Sequence, residues 1–124
     1  MMSDIYQDIL NRVVSGLKNQ HWKQSVVPQW NAGGVCKYYS DVGRCAIGHL
    51  MSNDELDKFY YYECCVDDLI EKYGWQVPGI PHPTKDDIHF LMKLQRAHDT
   101  GTFPGTMREN FIELAKEFNL EWIE

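Results

Sequence analysis

One cysteine in the chain stands in surroundings that could activate its thiol. Cys45 follows a predicted tight turn over residues 40 to 43, at or beside the start of a predicted helix, and Arg44 is next to it. The N-terminal end of a helix and a neighbouring guanidinium both lower the pKa of a thiol. The type and position of this residue therefore indicate a candidate nucleophile.

A later helix carries residues that could serve this nucleophile. His98 is the candidate general base, and Asp99 or Gln95 is the candidate group that orients its imidazole. The order along the chain, cysteine before histidine, is that of papain-like enzymes. A cysteine-dependent hydrolase or deamidase is therefore one hypothesis. Its alternative is a packing role for Cys45, because free cysteine is among the most commonly buried residue types.

A zinc-stabilised structural module is a second hypothesis for the same region. Cys45 and His49 are four residues apart and would share one face of a helix, with Cys36 and either Cys64 or Cys65 as further ligands. The chain lacks the closely paired ligands that are typical of zinc modules. We therefore expect no metal ligand. We also expect no cofactor, because the glycines fit no phosphate-binding loop.

The composition favours a protein that binds another protein. The net charge is −6, from 18 acidic and 12 basic residues, and no window collects several Lys or Arg side chains. Direct nucleic-acid binding is not expected from this charge, whereas an acidic face would suit a basic patch on a protein or nucleoprotein enzyme. The candidate binding residues are four aromatic side chains, Trp22, Trp30, Tyr60 and Tyr61. For the two tryptophans the alternative is a lid over the core.

The chain shows neither the basic start and apolar stretch of a secretory signal nor a run of about 18 apolar residues. We therefore expect a cytoplasmic protein without a membrane partner. In that compartment its four cysteines are expected to be reduced thiols. The sequence predicts no oligomeric state.

The first part of the chain predicts one long helix followed by an irregular stretch. A single domain over residues 1–124 is long enough to bury a core without disulfides. Ser3 is the candidate N-cap of the first helix. Its apolar residues recur at helical spacing and are Ile5, Ile9, Leu10, Val13, Val14 and Leu17. Residues 19 to 34 are predicted as a loop with one strand over residues 23 to 27, before an extended segment over residues 35 to 39.

A capping box from Ser52 to Glu55 predicts a second long helix. This helix is predicted to run to Tyr73 and to stop at Gly74, which suits a left-handed C-cap. Its predicted buried stripe consists of Tyr62, Val66, Leu69, Ile70 and Tyr73. Residues 74 to 83 contain three prolines and predict a connector.

Two further capping boxes predict the last helices, one opening at Thr84 and one over residues 106 to 109. The predicted inward residues are Ile88, Leu91, Met92, Gln95 and His98, with Phe90, Leu94 and Ala97 beside them, and then Phe111, Leu114, Ala115 and Phe118. Residues 120 to 124 could pair as an edge strand. The predicted fold class is predominantly α, of the α+β kind, with four to five helices and a small two- to three-stranded β element.

Residues 43 to 50, Gly-Arg-Cys-Ala-Ile-Gly-His-Leu, resemble a motif of small uncharacterised proteins from tailed bacteriophages and some bacteria. Those proteins carry a similar turn followed by Cys-Ala-x-Gly, and later a helix similar to residues 94 to 99, Leu-Gln-Arg-Ala-His-Asp. The resemblance covers residues 35 to 51 and 84 to 99. It implies a phage or prophage accessory protein in the bacterial cytoplasm, and it assigns no catalytic role to any residue.

The leading hypothesis combines the composition with this resemblance. We expect a small accessory protein that acts by protein–protein interaction and inhibits or modulates a host or defence enzyme through an aromatic and acidic face. The cysteine hydrolase and the zinc-stabilised module remain the alternatives.

Overall fold

The computed structural model describes residues 2–23, 26–27, 35–36, 39–40, 43–59, 65–101 and 103–122. This part of the chain is mostly helical. Its α-helices are α1 (Met2–Asn19), α2 (Asn53–Lys58), α3 (Val66–Glu71), α4 (Lys85–Asp99) and α5 (Pro104–Glu117), and Gly48–Leu50 forms a 3₁₀ turn. Within the same ranges, none of the helices combines the length and the apolar character needed to cross a membrane.

The strands are short. β1 (Val26–Val27) pairs antiparallel with β2 (Val35–Cys36), and β3 (Tyr39–Ser40) pairs antiparallel with β4 (Gly43–Arg44). Each strand has two residues, which is too short to form a layer of the core. The predominantly α class is confirmed. The two- to three-stranded β element stays a prediction, because most residues from 23 to 39 lie outside the described ranges.

α1 forms where apolar residues recur every three or four positions. Five of the apolar residues predicted at helical spacing are buried: Ile9, Leu10, Val13, Val14 and Leu17. The helix begins at Met2, so Ser3 lies inside its first turn and the prediction of Ser3 as N-cap is wrong. After α1 the backbone reverses through His21 and Trp22, whose φ angles of 59° and 58° are left-handed. This reversal brings the Trp22 ring into the core.

The helix predicted from Ser52 to Tyr73 is not one continuous helix. The capping box is confirmed: the Glu55 amide donates to Ser52 Oγ at 3.2 Å, and the Ser52 amide donates to Glu55 Oε1 at 2.9 Å. α2 nevertheless ends at Lys58, and α3 begins at Val66. The prediction of one helix is wrong because an apolar run does not distinguish one continuous helix from two short ones.

The end of α3 places one aromatic ring inside the protein and another outside. Gly74 takes the left-handed conformation predicted for it, with φ at 73°. The turn brings Trp75 into the core, whereas Tyr73 is 45% exposed. The predicted burial of Tyr73 is therefore wrong, because α3 has ended before this residue. Tyr62, from the same predicted stripe, lies outside the described residues.

α4 begins with the predicted capping box at Thr84 and packs against both α3 and α5. Its buried residues are Asp87, Phe90, Leu91, Leu94, Ala97 and His98. The predicted buried face of α4 differs in part from the observed one. Met92, which was predicted to point inward, is 40% exposed, and Ile88 and Gln95 are only partly buried. The buried stripe follows the line between the two neighbouring helices, which the sequence pattern of α4 alone does not contain.

α5 begins at Pro104, with Phe103 as its N-cap, so the start predicted at Thr106 is wrong. Proline suits the first helical position because its ring fixes φ near the helical value and it has no amide that needs a partner. The inward residues are Met107, Phe111, Leu114 and Ala115, with Phe118 partly buried.

The residues after α5 lie against α1. Gln7 Nε2 donates to the Glu121 carbonyl at 2.9 Å, and the Glu121 amide donates to Gln7 Oε1 at 2.8 Å. The ring of Trp122 lies 6.2 Å from that of Trp22. Residues 120 to 122 form no strand, contrary to the prediction, because the side-chain amide of Gln7 takes the backbone groups that a neighbouring strand would use.

Candidate functional site

Cys45 lies directly after β4 and is enclosed by the core. It is 2% exposed, and the Gly48 amide donates to its Sγ at 3.3 Å. The helix predicted to begin beside it is only the three-residue 3₁₀ turn Gly48–Leu50. So short a turn has no extended row of aligned peptide dipoles to lower the pKa of a thiol. One of the two reasons to expect an activated Cys45 is therefore removed.

Arg44, the second group expected to activate the thiol, is bound elsewhere. Its guanidinium donates to Asn53 Oδ1 at 2.9 Å and lies 3.5 Å from the Met51 carbonyl. These contacts hold the chain between the 3₁₀ turn and α2. A nucleophilic sulfur must also touch the substrate carbon, and a residue that is 2% exposed does not offer that approach in this conformation.

The candidate base lies on α4. His98 is fully buried, and its Nδ1 donates to Asp99 Oδ1 at 2.9 Å. Asp99 thus occupies the position predicted for an orienting group. Gln95 does not: its Oε1 accepts a hydrogen bond from the Val66 amide at 2.9 Å, so it joins α4 to the first residue of α3.

Gln20, which the sequence analysis missed, is the centre of the polar contacts around Cys45. Its Nε2 donates to the carbonyls of Lys23 at 2.9 Å and Arg44 at 2.7 Å, and its Oε1 accepts from the Arg44 amide at 2.9 Å. Because two carbonyls fix the Nε2 end, the orientation of this amide is settled. His49 Nε2, 3.0 Å from Oε1, must therefore donate, so the proton of the neutral ring is on Nε2.

His49 is held as a neutral imidazole. Burial lowers its pKa to about 4, and the charges of Arg44, His98 and Arg12 act in the same direction. The ring packs on Gly16 of α1 so closely that a Cβ there would overlap it. Arg12 Nε also donates to the His49 carbonyl at 2.9 Å. Arg12 and Gly16 of α1, together with Gln20 directly after it, therefore fix the segment that carries Cys45. We call these contacts the α1 clamp.

The zinc hypothesis gains no support from the part of the chain that can be described. There, no group of three or more His, Cys, Asp or Glu side chains is placed to hold a metal ion. Cys45 is buried, whereas Cys65 is exposed. Cys64 and the side chain of Cys36 lie outside the described residues, so their part in that hypothesis stays a prediction.

Of the four candidate binding aromatics, the structure describes Trp22 alone. Trp22 is 9% exposed, and its ring lies 6.3 Å from that of Phe111. This burial agrees with the alternative of a ring that covers the core, and it leaves little of the side chain for a partner. Trp30, Tyr60 and Tyr61 lie outside the described residues.

A furrow runs between α1 and the connector before α4. It consists of two adjoining cavities of about 510 and 230 Å³ that share Ile5 and Gly79. Its other lining residues are Tyr6, Asp8, Ile9, Arg12, Leu50, Pro78, Ile80, Pro81, His82, Thr84, Asp86 and Asp87. The lining contains three carboxylates and one guanidinium, and Asp8 and Asp86 are exposed. We call this surface the acidic furrow.

The wall of the acidic furrow is held by a buried carboxylate. The Tyr6 hydroxyl donates to Asp87 Oδ1 at 2.6 Å, and the Thr84 amide donates to Asp87 Oδ2 at 2.9 Å. Burial raises the pKa of Asp87, but the hydrogen bonds from Tyr6 and Thr84 outweigh it, so the net shift is downward. Burial and the bond to Asp87 raise the pKa of Tyr6. The Tyr6 ring also stacks on Phe90 with centroids 4.1 Å apart, which makes this wall rigid.

Sequence patterns did not single out the residues of the furrow. Tyr6 and Asp87 are 81 positions apart, and only the folded chain joins them. The acidic composition was the one available signal. Comparison with known proteins adds nothing to these contacts, since no protein family, curated protein or solved structure matches the chain.

Proposed function

We propose that the protein acts by binding another protein, and that the acidic furrow receives a basic segment of that partner. The observation that carries this proposal is the combination of an apolar floor with exposed carboxylates in one concave surface. Ile5, Ile80 and Pro81 contribute the apolar part, and Asp8 and Asp86 contribute the charge.

Each part of the furrow has a separate role in this proposal. Apolar side chains of the partner would bury surface against Ile5 and Pro81, which supplies most of the affinity. Lysine or arginine side chains would pair with Asp8 and Asp86, which sets the choice of partner and the rate of association. The net charge of −6 also attracts a basic partner over longer distances.

The phage-type resemblance of residues 43 to 50 and 94 to 99 extends the proposal to a target. We propose that the partner is a host or defence enzyme in the bacterial cytoplasm, which the protein inhibits or modulates. Enzymes that handle nucleic acids carry basic grooves, and an acidic protein can occupy such a groove without binding nucleic acid itself.

The test uses a pair of charge reversals. Asp8→Lys replaces a carboxylate in the furrow, and Asp57→Lys makes the same change of charge on the exposed face of α2, outside the furrow. Each protein is used as bait in bacterial lysate, and captured proteins are cross-linked and identified by mass spectrometry. We expect a defined partner that the wild type and Asp57→Lys retain and that Asp8→Lys loses.

Cys45→Ser serves as a control against the enzyme hypothesis, and it should retain the partner. Cross-links should join the partner to residues at the furrow, such as Lys85 at the start of α4. Identical capture by Asp8→Lys and by the wild type would refute a role for the furrow.

A further inference from the structure

The outward face of α4 forms a second groove with the opposite charge. It encloses about 340 Å³ and is lined by Cys65, His89, Met92, Lys93, Gln95, Arg96 and Asp99. Of the residues described, none lines both this groove and the acidic furrow. We call it the α4 groove.

The basic residues of the α4 groove lie along one stripe of the helix. His89, Lys93 and Arg96 follow one another at spacings of four and three residues, which places them side by side on α4. The guanidinium of Arg96 has no hydrogen-bond or ion-pair partner among the residues that the structure describes. Lys93 Nζ lies 3.5 Å from Glu117 Oε1, and because both side chains are partly exposed to water this pair is weak. Two cations are therefore available to a ligand.

Met92 supplies an apolar contact beside these charges. It is 40% exposed, although it is a large apolar side chain on a helix whose other face is in the core. A methionine side chain is flexible and polarisable, so it adapts to ligand side chains of different shape. Its position beside Lys93 and one helical turn before Arg96 means that an apolar group resting on it would have both cations close by.

We propose that the α4 groove binds an acidic, amphipathic peptide segment of a partner protein. In this arrangement an apolar side chain of the segment covers Met92, and its carboxylates pair with Arg96 and Lys93. The charge complementarity is local, because the whole chain is acidic while this groove is not. The surface is separate from the acidic furrow and would be occupied independently of it.

The same observations argue against a nucleic acid as the occupant. Binding of single strands uses a long cationic track together with aromatic rings on which bases stack. Among the residues that the structure describes, the lining of the α4 groove has two strong cations, one carboxylate and no Phe, Tyr or Trp. The net charge of the protein also repels a phosphate backbone.

The experiment selects ligands from a library of random dodecapeptides displayed on yeast. Enriched peptides are then sorted by whether they still bind two groove variants, Arg96→Gln and Met92→Ser. Lys18→Gln is the matched control, since it removes one exposed cation from α1 outside the groove. We expect the peptides that depend on the groove to combine Asp or Glu with Leu, Ile or Phe.

Binding constants of one such synthetic peptide complete the test. We expect Arg96→Gln to weaken binding about threefold and Met92→Ser about tenfold, with no change in Lys18→Gln. Higher salt should reduce the effect of Arg96→Gln but not that of Met92→Ser. The proposal is overturned if no enriched peptide is sensitive to both variants, or if the sensitive peptides are not acidic. A single-stranded oligonucleotide that binds the wild type and is lost in Arg96→Gln would overturn it as well.

These outcomes are independent of the acidic furrow. A basic peptide whose binding is unchanged by Arg96→Gln but abolished by Asp8→Lys would support the proposed function, and the α4 groove would remain without a ligand. The two proposals can therefore fail separately.

Discussion

Gly16 is the residue at which one methyl group has the most direct structural effect. In Gly16→Ala the new Cβ would overlap the His49 imidazole. We expect the free energy of unfolding to fall by about 1 to 3 kcal/mol, because the overlap exceeds the about 0.5 to 1 kcal/mol that alanine gains in a helix. Urea denaturation at neutral pH measures this change.

The matched control for Gly16→Ala is Gly105→Ala. A Cβ at Gly105 meets nothing within 4 Å, and the residue lies in the first turn of α5. This variant should be unchanged or slightly more stable than the wild type. Equal effects of the two substitutions would show that the His49 ring does not lie on Gly16.

The second residue-scale prediction concerns the bond between Tyr6 and Asp87. Tyr6→Phe leaves a buried carboxylate without one of its donors, so we expect a loss of about 1 to 3 kcal/mol of stability at neutral pH. Folding lowers the pKa of Asp87, so the ionised carboxylate stabilises the protein above its ordinary pKa of 3.8. That contribution is lost as the pH falls through the lower folded value.

The difference between wild type and Tyr6→Phe should therefore shrink below about pH 4. Urea denaturation over a pH series measures it, with Tyr73→Phe as the exposed-tyrosine control. A difference that stays constant with pH would mean that the hydroxyl does not act through ionised Asp87.

At the scale of elements, the α1 clamp decides how the segment with Cys45 is held. Gln20 binds both backbone groups of Arg44 and also the His49 ring, while Arg12 binds the His49 carbonyl. The contacts of the clamp require a neutral His49, because a second ring proton would be on Nδ1 and would lie against Gly16.

The clamp predicts that stability falls in mild acid. The pKa of His49 is lowered from 6.5 to about 4, so between these values the unfolded chain binds a proton that the folded protein excludes. The stabilisation that depends on a neutral His49 is complete above pH 6.5, declines as the pH falls and is lost below about pH 4. The free energy of unfolding falls in total by on the order of 3 kcal/mol. Urea denaturation at several pH values between 7 and 4 measures it.

His49→Gln should remove this pH dependence, since glutamine does not titrate in that range. His82→Gln, which changes an exposed histidine, should keep it. If the slope survives in His49→Gln, another group must be responsible for it.

The sequence predicted those elements whose signals are local. The capping boxes at Ser52 and Thr84 and the turn at Gly74 were predictable because each depends on residues within one turn of chain. The break between α2 and α3 and the buried face of α4 were not, because they depend on what packs beside them.

The candidate site was predictable only in part for the same reason. The pairing of His98 with Asp99 joins adjacent residues, and the sequence analysis named it. The helix expected at Cys45 was wrong, and the role of Gln20 depends on partners 24 and 29 positions away. No pattern in one sequence encodes such contacts.

At the scale of the whole molecule, the described part of the chain carries two concave surfaces of opposite charge. The acidic furrow lies between α1 and the connector, and the α4 groove lies on α4. Core residues of α4, such as Phe90 and Leu91, separate the groove side of this helix from α1. A protein built in this way could hold two chemically different segments at once.

The burial of the thiols gives a prediction about the whole fold. Cys45 is 2% exposed, whereas Cys65 is exposed, so Cys65 should be alkylated in the native protein and Cys45 only when the core opens. We expect Cys45 to react at least roughly 10³-fold more slowly at neutral pH, given the usual stability of a domain. Mass spectrometry of the alkylated peptides measures both rates.

Denaturant should remove the difference between the two thiols. Rapid native alkylation of Cys45 would make the cysteine hydrolase the leading hypothesis, and His98→Ala would then be the next variant to assay.

The fixed orientation of the Gln20 amide also bears on metal ions. His49 donates through Nε2 to Gln20, and its Nδ1 edge lies against Gly16, so neither nitrogen has a lone pair facing open space. A zinc ion could use this imidazole only after the ring had left both neighbours. Binding of a metal ion to His49 would therefore compete with the contacts of its ring to Gln20 and Gly16. Added zinc would destabilise this region and not stabilise it.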